Sequence, residues 1–360
     1  MNAVPSSAPP PAPPAGPPVV HEHITDAIKA PDLVRLSANT VLARFETLKV
    51  YAALGAVRTL LERGVIRPGQ TLVDSSSGIY ALALAMAAHR HGLRCHIVAS
   101  TTVDATTRVQ LEILGTTIDQ MPPSDDLRLD QRRRVARVRE LVAARPDMHW
   151  MRQYHDAVHY AGYREFAALV ASALPGRELT VVGSVGTGSS TGGLILPLRQ
   201  HGLDARLVGI QPFGSVTFGS ERFLDPEAII AGIGSAIPFA NVRHRLYDGL
   251  HWIDFRHAMA GSVGLLRGHA VFAGLSTGAA HLAARWEAAR RPERTHLVIG
   301  ADTGHRYAER AFARHREAPD PRTLKPHQIT ELTDLRPPWS VMEWGRRPYP
   351  PGEPGGPTGR

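Results

Sequence analysis

Lys49 is the side chain whose type most needs a chemical reason. It sits in Arg44-Phe-Glu-Thr-Leu-Lys49-Val-Tyr-Ala-Ala-Leu-Gly-Ala-Val57, a mostly apolar and small-residue run, in a chain with thirty-eight arginines and only three lysines, Lys29, Lys49 and Lys325. Arginine keeps its proton in proteins, whereas a desolvated lysine becomes a nucleophilic amine able to form a Schiff base. The plain alternative is a lysine snorkelling from a helix start. A second motif, Gly186-Thr-Gly-Ser-Ser-Thr-Gly-Gly193, follows the apolar run 179–185. Its small residues let backbone N–H groups close on an anion at a helix N-terminus, and its hydroxyls add donors. It lacks the lysine of a nucleoside-triphosphate loop, and its third glycine falls out of place for a dinucleotide fingerprint. A third motif, Asp74-Ser-Ser-Ser-Gly78, offers donors to a small carboxylate or caps a helix. An amine, a phosphate cup and a carboxylate loop together point to pyridoxal 5'-phosphate, whose ring is an electron sink that the protein orients.

Two other constellations compete. Gly274-Leu-Ser-Thr-Gly278 matches the nucleophile elbow of α/β-hydrolases, with Ser276, Asp302 and His305 in the order of a triad. Asp302 and His305, however, share one turn, whereas an elbow draws its acid and base from separate loops. His155 and His159 have helical ligand spacing without the glutamate of HExxH, so no metal is expected.

These motifs must be held by the elements between them. Apolar runs at 71–74, 95–100, 179–185, 206–211 and 296–302 read as strands, and 79–91, 104–114 and a segment from about 190 read as helices. The alternation predicts an α/β fold with parallel sheet and ligands beyond the carboxyl ends of the strands. Residues 1–20, rich in proline and alanine, read as a disordered leader. Residues 21–150 form the expected N-terminal α/β domain, 151–317 the C-terminal domain with the phosphate loop, and 318–360 an irregular tail with Trp339 and Trp344 pinned on the body.

Composition narrows the class. Hydrophobic residues make up 43% and charged ones 21%, as in soluble globular proteins. No run approaches the roughly 18 apolar residues of a membrane helix, and the start lacks the pattern of a signal peptide. A single Cys95 rules out an intrachain disulfide and suits a cytoplasmic protein. The net charge of +8 raises nucleic acid as a partner. Yet the basic residues are scattered, and the densest group, Arg132 to Arg134 with Arg137 and Arg139, has no interleaved aromatics. That group reads as a solvated helix face, so neither nucleic acid nor membrane is an expected partner.

From residue 31 to 307 the order and wording of the motifs resemble the cysteine synthase and cystathionine β-synthase group of pyridoxal-phosphate enzymes, fold type II. The resemblance implies two α/β domains with the cofactor in the cleft between them. It implies Lys49 as catalytic and cofactor-anchoring lysine, and Gly186, Thr187, Gly188, Ser189 and Ser190 around the phosphate. Ser76, Ser77, Gly78 and Gln153 are then the substrate-carboxylate site, and Thr303, in Asp302-Thr-Gly-His-Arg-Tyr307, faces the pyridine nitrogen. A neutral hydroxyl there makes the ring a mild sink, suited to elimination more than transamination. The implied reaction is β-replacement or β-elimination on a serine- or cysteine-like amino acid, through an aminoacrylate, with a small nucleophile as second substrate. A homodimer goes with it. The alternatives are serine or threonine ammonia-lyase or racemase chemistry, and an inactive cofactor-binding relative.

The chain also departs from that group. Ser77-Gly78-Ile79-Tyr80 carries isoleucine where the group has an asparagine contacting the cofactor ring oxygen, and the approach to Lys49 and the segment after Gln153 are both shortened. A different gapping sets Gly55 at the lysine position, the arrangement of a pseudoenzyme; spacing to Gly64 favours Lys49. All these changes border the substrate, so a reworked pocket for a non-standard amino-acid product is expected.

Overall fold

The apolar runs build two sheets in the computed structural model, which describes residues 19–101, 103–122, 127–174, 176, 178–225 and 232–349. Nearly all of the leader expected at 1–20 lies outside the described residues, as does the end of the tail. Helix α1 (Ile24–Ile28) and the hairpin β1 (Asp32–Ser37) and β2 (Thr40–Arg44) lead into α2 (Lys49–Glu62). Next come β3 (Thr71–Ser75), α3 (Ile79–Arg90), β4 (Arg94–Ala99), α4 (Ala105–Ile113), β5 (Thr117–Gln120), α5 (Leu127–Ala144) and β6 (Met148–Trp150). After α6 (Tyr163–Ala173) follow β7 (Glu178–Ser184), α7 (Ser189–Gln200), β8 (Asp204–Gln211) and β9 (Gly249–Ile253). The chain then forms α8 (Phe255–His269), α9 (Leu275–Arg290), β10 (Thr295–Gly300), β11 (His327–Gln328) and β12 (Trp339–Glu343).

The smaller sheet has the parallel order β5-β4-β3-β6, and the larger one runs β1-β2-β10-β7-β8-β9-β12-β11, parallel from β2 to β9. Its inner strands carry near-continuous apolar runs, such as Leu179, Val181 and Val182 of β7, each 2% exposed or less. That is the pattern of strands covered on both faces. Expected strands and helices fall within two residues of the observed ones.

Two boundaries differ from expectation. The hairpin at 32–44 belongs to the larger sheet, because β2 pairs in parallel with β10, Leu42 opposite Val298. A division at residue 150 therefore describes the smaller sheet but not the chain before it. The tail, expected to be irregular, closes the larger sheet: β12 pairs antiparallel with β9, Trp339 opposite Ile253. Trp339 and Trp344 are each 2% exposed, as expected. Prolines before the strand and Gly345 after it masked a five-residue stretch whose partner, β9, lies far away in sequence. The clasp is polar as well as apolar. Trp339 Nε1 donates to His251 Nδ1 at 3.0 Å, and His251 Nε2 faces Glu287 Oε1 at 3.3 Å. Arg291 then bridges Glu287 at 2.7 Å and Glu343 at 2.8 Å.

Helix α2 is held by backbone-to-backbone packing. A Cβ at Gly55 would drive into the backbone of Gly162, and one at Gly162 into the carbonyl of Tyr51. In this packing no side chain fits at residue 55.

Candidate active site

Lys49 opens α2 where the chain leaves β2, and this short connection aims the first helical turn across the carboxyl ends of β7 and β10. There a cleft of about 570 Å³, counting space open to solvent, is walled by Lys49, Ile79, Gly186, Ser190, Ser276 and Asp302 among others. It lies where ligands of open α/β sheets bind. The Lys49 amine donates to Thr187 Oγ1 at 3.2 Å. Burial lowers its pKa to about 8, so near neutral pH about a tenth of it is free amine, far more than for an exposed lysine. Lys29, by contrast, is spent on Glu165 at 2.8 Å.

The loop facing Lys49 is shaped by its glycines at two positions. Gly188 has φ +80°, the left-handed turn into α7, and a Cβ on Gly186 would collide with the carbonyl of Gly232. Thr187 Oγ1 is shared with Ser189 Oγ at 3.1 Å, and Ser190 reaches the cleft wall. Thr191, by contrast, spends its hydroxyl on Gly188 O and on Tyr247 at 2.7 Å. The first turn of α7 thus presents N–H groups, hydroxyls and the positive end of a helix dipole, a site for phosphate.

The Ser-Ser-Gly loop lies alongside. The wall reaches Ile79 but not Ser76, Ser77, Gly78 or Gln153. Ser77 Oγ accepts from Ser100 N at 2.8 Å and from Arg134 Nη1 at 2.9 Å, and Gln153 Nε2 donates to Ser75 O at 2.8 Å. Thr303 is also outside the wall, with its hydroxyl bonded to His305 Nδ1 at 3.1 Å. The structure therefore gathers Lys49 with the 186–190 loop, sets the Ser-Ser-Gly loop and Gln153 beside them, and leaves Thr303 to one side.

Three wall or near-wall residues were assigned elsewhere by sequence reasoning. Ser276 belongs to the cleft as a hydroxyl at the start of α9. It forms no hydrolase relay, because Asp302 pairs with Tyr307 at 2.9 Å and His305 with Thr303. Asp302 is 3% exposed with Oδ1 unpartnered, and burial raises its pKa to about 6 against the opposing charge of Arg306. Arg134, read as part of a solvated face, is 9% exposed, with Nε unpartnered and Nη1 on Ser77. The signal was in the spacing: Arg134, Val138 and Leu141 stand at i, i+4 and i+7, and the latter two are core residues.

An amine of lowered pKa with no ion pair among the described residues, a glycine-shaped loop at a helix N-terminus and the Ser276 hydroxyl in the wall fit pyridoxal phosphate. Comparison with known proteins agrees. The family model of pyridoxal-phosphate dependent enzymes matches residues 27–300. An N-(2-amino-2-carboxyethyl)-L-glutamate synthase of Ralstonia nicotianae is 29% identical over 310 residues, covering 82% of this chain and 90% of that protein. The structure of an O-ureido-L-serine synthase is 25% identical with a TM-score of 0.70, over 80% of this chain and 94% of that one. An O-acetylserine dependent cystathionine β-synthase from Helicobacter pylori shares the fold, with a TM-score of 0.73 at 21% identity over 81% and 98% of the two chains. The chain belongs to the pyridoxal-phosphate dependent enzymes, with the fold of the fold type II members.

Proposed function

We propose that this enzyme joins the β-carbon of a serine-derived amino acid to the amine of a second amino acid. The observation that carries the reading is the Lys49 amine, of lowered pKa and without an ion pair among the described residues, hydrogen-bonded to the loop that would take the phosphate. Lys49 would hold the cofactor and, once displaced by the substrate amine, take the α-proton. Bound pyridoxal phosphate would supply the electron sink for loss of the β-substituent. Gly186, Thr187, Gly188, Ser189 and Ser190 would hold its phosphate. Ser276, which stands in the wall, is better placed than Thr303 to face its ring nitrogen.

Ser76, Ser77, Gly78 and Gln153 would take the α-carboxylate. Arg134, tied to Ser77 with one nitrogen still unpartnered, adds a cation beside that loop for a further acidic group of a substrate. A glutamate-like nucleophile carries such a group, and the Ralstonia relative is named for a product built on glutamate. No described helix is long and apolar enough to cross a membrane. A cytoplasmic location and a homodimer remain part of this reading, the homodimer on the strength of the family resemblance.

The test is product analysis of holoenzyme supplied with O-acetyl-L-serine and L-glutamate. The expected product contains both carbon skeletons linked through nitrogen, and Arg134→Ala raises KM for one substrate about tenfold or more, identifying which acid it contacts. Release of pyruvate and ammonium at a rate indifferent to glutamate would replace this reading with elimination.

A further inference from the structure

Asp74 is 1% exposed at the end of β3, and no cation is paired with it among the described residues. Its oxygens accept three hydrogen bonds instead. Ser75 N at 2.8 Å and Trp150 Nε1 at 3.2 Å reach Oδ1, and Gln153 N at 2.9 Å reaches Oδ2. Two of these donors come from the end of β6 and the segment just after it, which also returns Gln153 Nε2 at 2.8 Å and Tyr154 Oη at 3.1 Å to the carbonyl of Ser75. Between Trp150 and Gln153 the chain turns through Arg152 at φ +51°, a left-handed conformation that a non-glycine residue keeps only when its surroundings enforce it. The Asp74 carboxylate is what receives the backbone N–H on the far side of that turn.

A buried carboxylate held by neutral donors alone is expensive, and the apolar strand around Asp74 shows no need of one for packing. We infer that Asp74 is the positioning residue of the amino-acid carboxylate site, fixing Gln153 and the Ser76–Gly78 loop in one register. The inference rests on the reading that these residues form that site. Two accepting oxygens are required, because all three of these neighbours present a hydrogen. Asparagine would turn an N–H toward one of the three donors and release the segment it holds.

The experiment measures L-serine binding to holoenzyme by calorimetry for wild type, Asp74→Asn, Gln153→Ala and Tyr154→Phe, with amide exchange of residues 150–155 alongside. The expected result is binding weakened at least tenfold in Asp74→Asn and in Gln153→Ala, and little changed in Tyr154→Phe. Asp74→Asn should also lose protection at the Gln153 amide while β4 stays protected and the cofactor absorption before serine addition is unchanged. If Gln153→Ala weakens binding but Asp74→Asn does not, the positioning role is overturned and the carboxylate site stands. If neither weakens it, or wild type binds no L-serine, the site reading fails and takes this inference with it. Should Asp74→Asn not fold, Trp150→Phe, which deletes one donor only, is expected to weaken binding about threefold, and unchanged binding there overturns the proposal.

Discussion

At the edge where β9, β12 and α9 meet, Glu287 is 2% exposed, yet its carboxyl titrates near 2. Burial would raise it, but the hydrogen bond from His251 and the charges of Arg291 and Arg206 prevail. In the cofactor cleft the same physics runs the other way. Lys49 has burial and a neutral hydroxyl, so its amine falls to about 8, and for Asp302 burial outweighs the charge of Arg306 at 3.7 Å, so its carboxyl rises to about 6. The clasp compensates its buried charge and fastens the tail. The cleft compensates its groups only in part, which leaves them poised to change protonation near neutral pH at a loss of stability.

The largest expected contrast comes from deleting one member of each region. Lys49→Met should cut turnover by at least ~10³-fold while the thermal midpoint holds or rises, since an unpaired buried amine is replaced by apolar packing. Glu287→Gln should keep turnover and lose roughly 3–5 kcal/mol in urea unfolding, the cost of leaving a buried ion pair half made. A stable, inactive Glu287→Gln or an unfolded Lys49→Met would dissolve the distinction.

A smaller effect is pH dependence in the cofactor-free protein. Asp302 and Asp74 titrate at about 6 and about 7 in the fold, above their ordinary value. Their protonated forms favour folding at low pH, and that help is lost as pH rises through those values. Glu287 favours folding above its ordinary value and loses this as pH falls toward about 2. Between the two limbs the thermal midpoint should peak. Asp302→Asn is expected to flatten the upper limb and Glu287→Gln the acid limb. An upper limb untouched by Asp302→Asn would mean that its carboxyl does not carry the buried proton.

The smallest is Thr187→Val, which removes the hydrogen bond that the Lys49 amine donates to Thr187. A loss of about 1 kcal/mol, or several-fold in affinity for pyridoxal phosphate, is expected by equilibrium titration. An unchanged affinity would remove Thr187 from the phosphate site.

Much of this was legible beforehand because it is local. The parallel strands, the helix starts after their ends and the glycine loop at 186–193 are written in consecutive residues. Lys49 stood out because the chain otherwise uses arginine. What could not be read depends on distant partners. Strand β12 forms only because β9 offers an open edge, and the hairpin at 32–44 joins the larger sheet because β10, more than 250 residues on, lies beside it. Arg134 was hidden by its neighbours Arg132, Arg133 and Arg137, although its helical spacing from Val138 and Leu141 marked the buried face. Thr303 and Ser276 offer the same hydroxyl chemistry, and only the wall of the cleft tells them apart.

The central claim is that Lys49 anchors the cofactor, and the scarcity of lysine makes it directly testable. Holoenzyme is reduced with borohydride, digested, and the pyridoxyl group located by mass spectrometry among Lys29, Lys49 and Lys325. The account expects it on the peptide containing Lys49 alone. A pyridoxyl group on Lys29 or Lys325, or on none of the three, would contradict it.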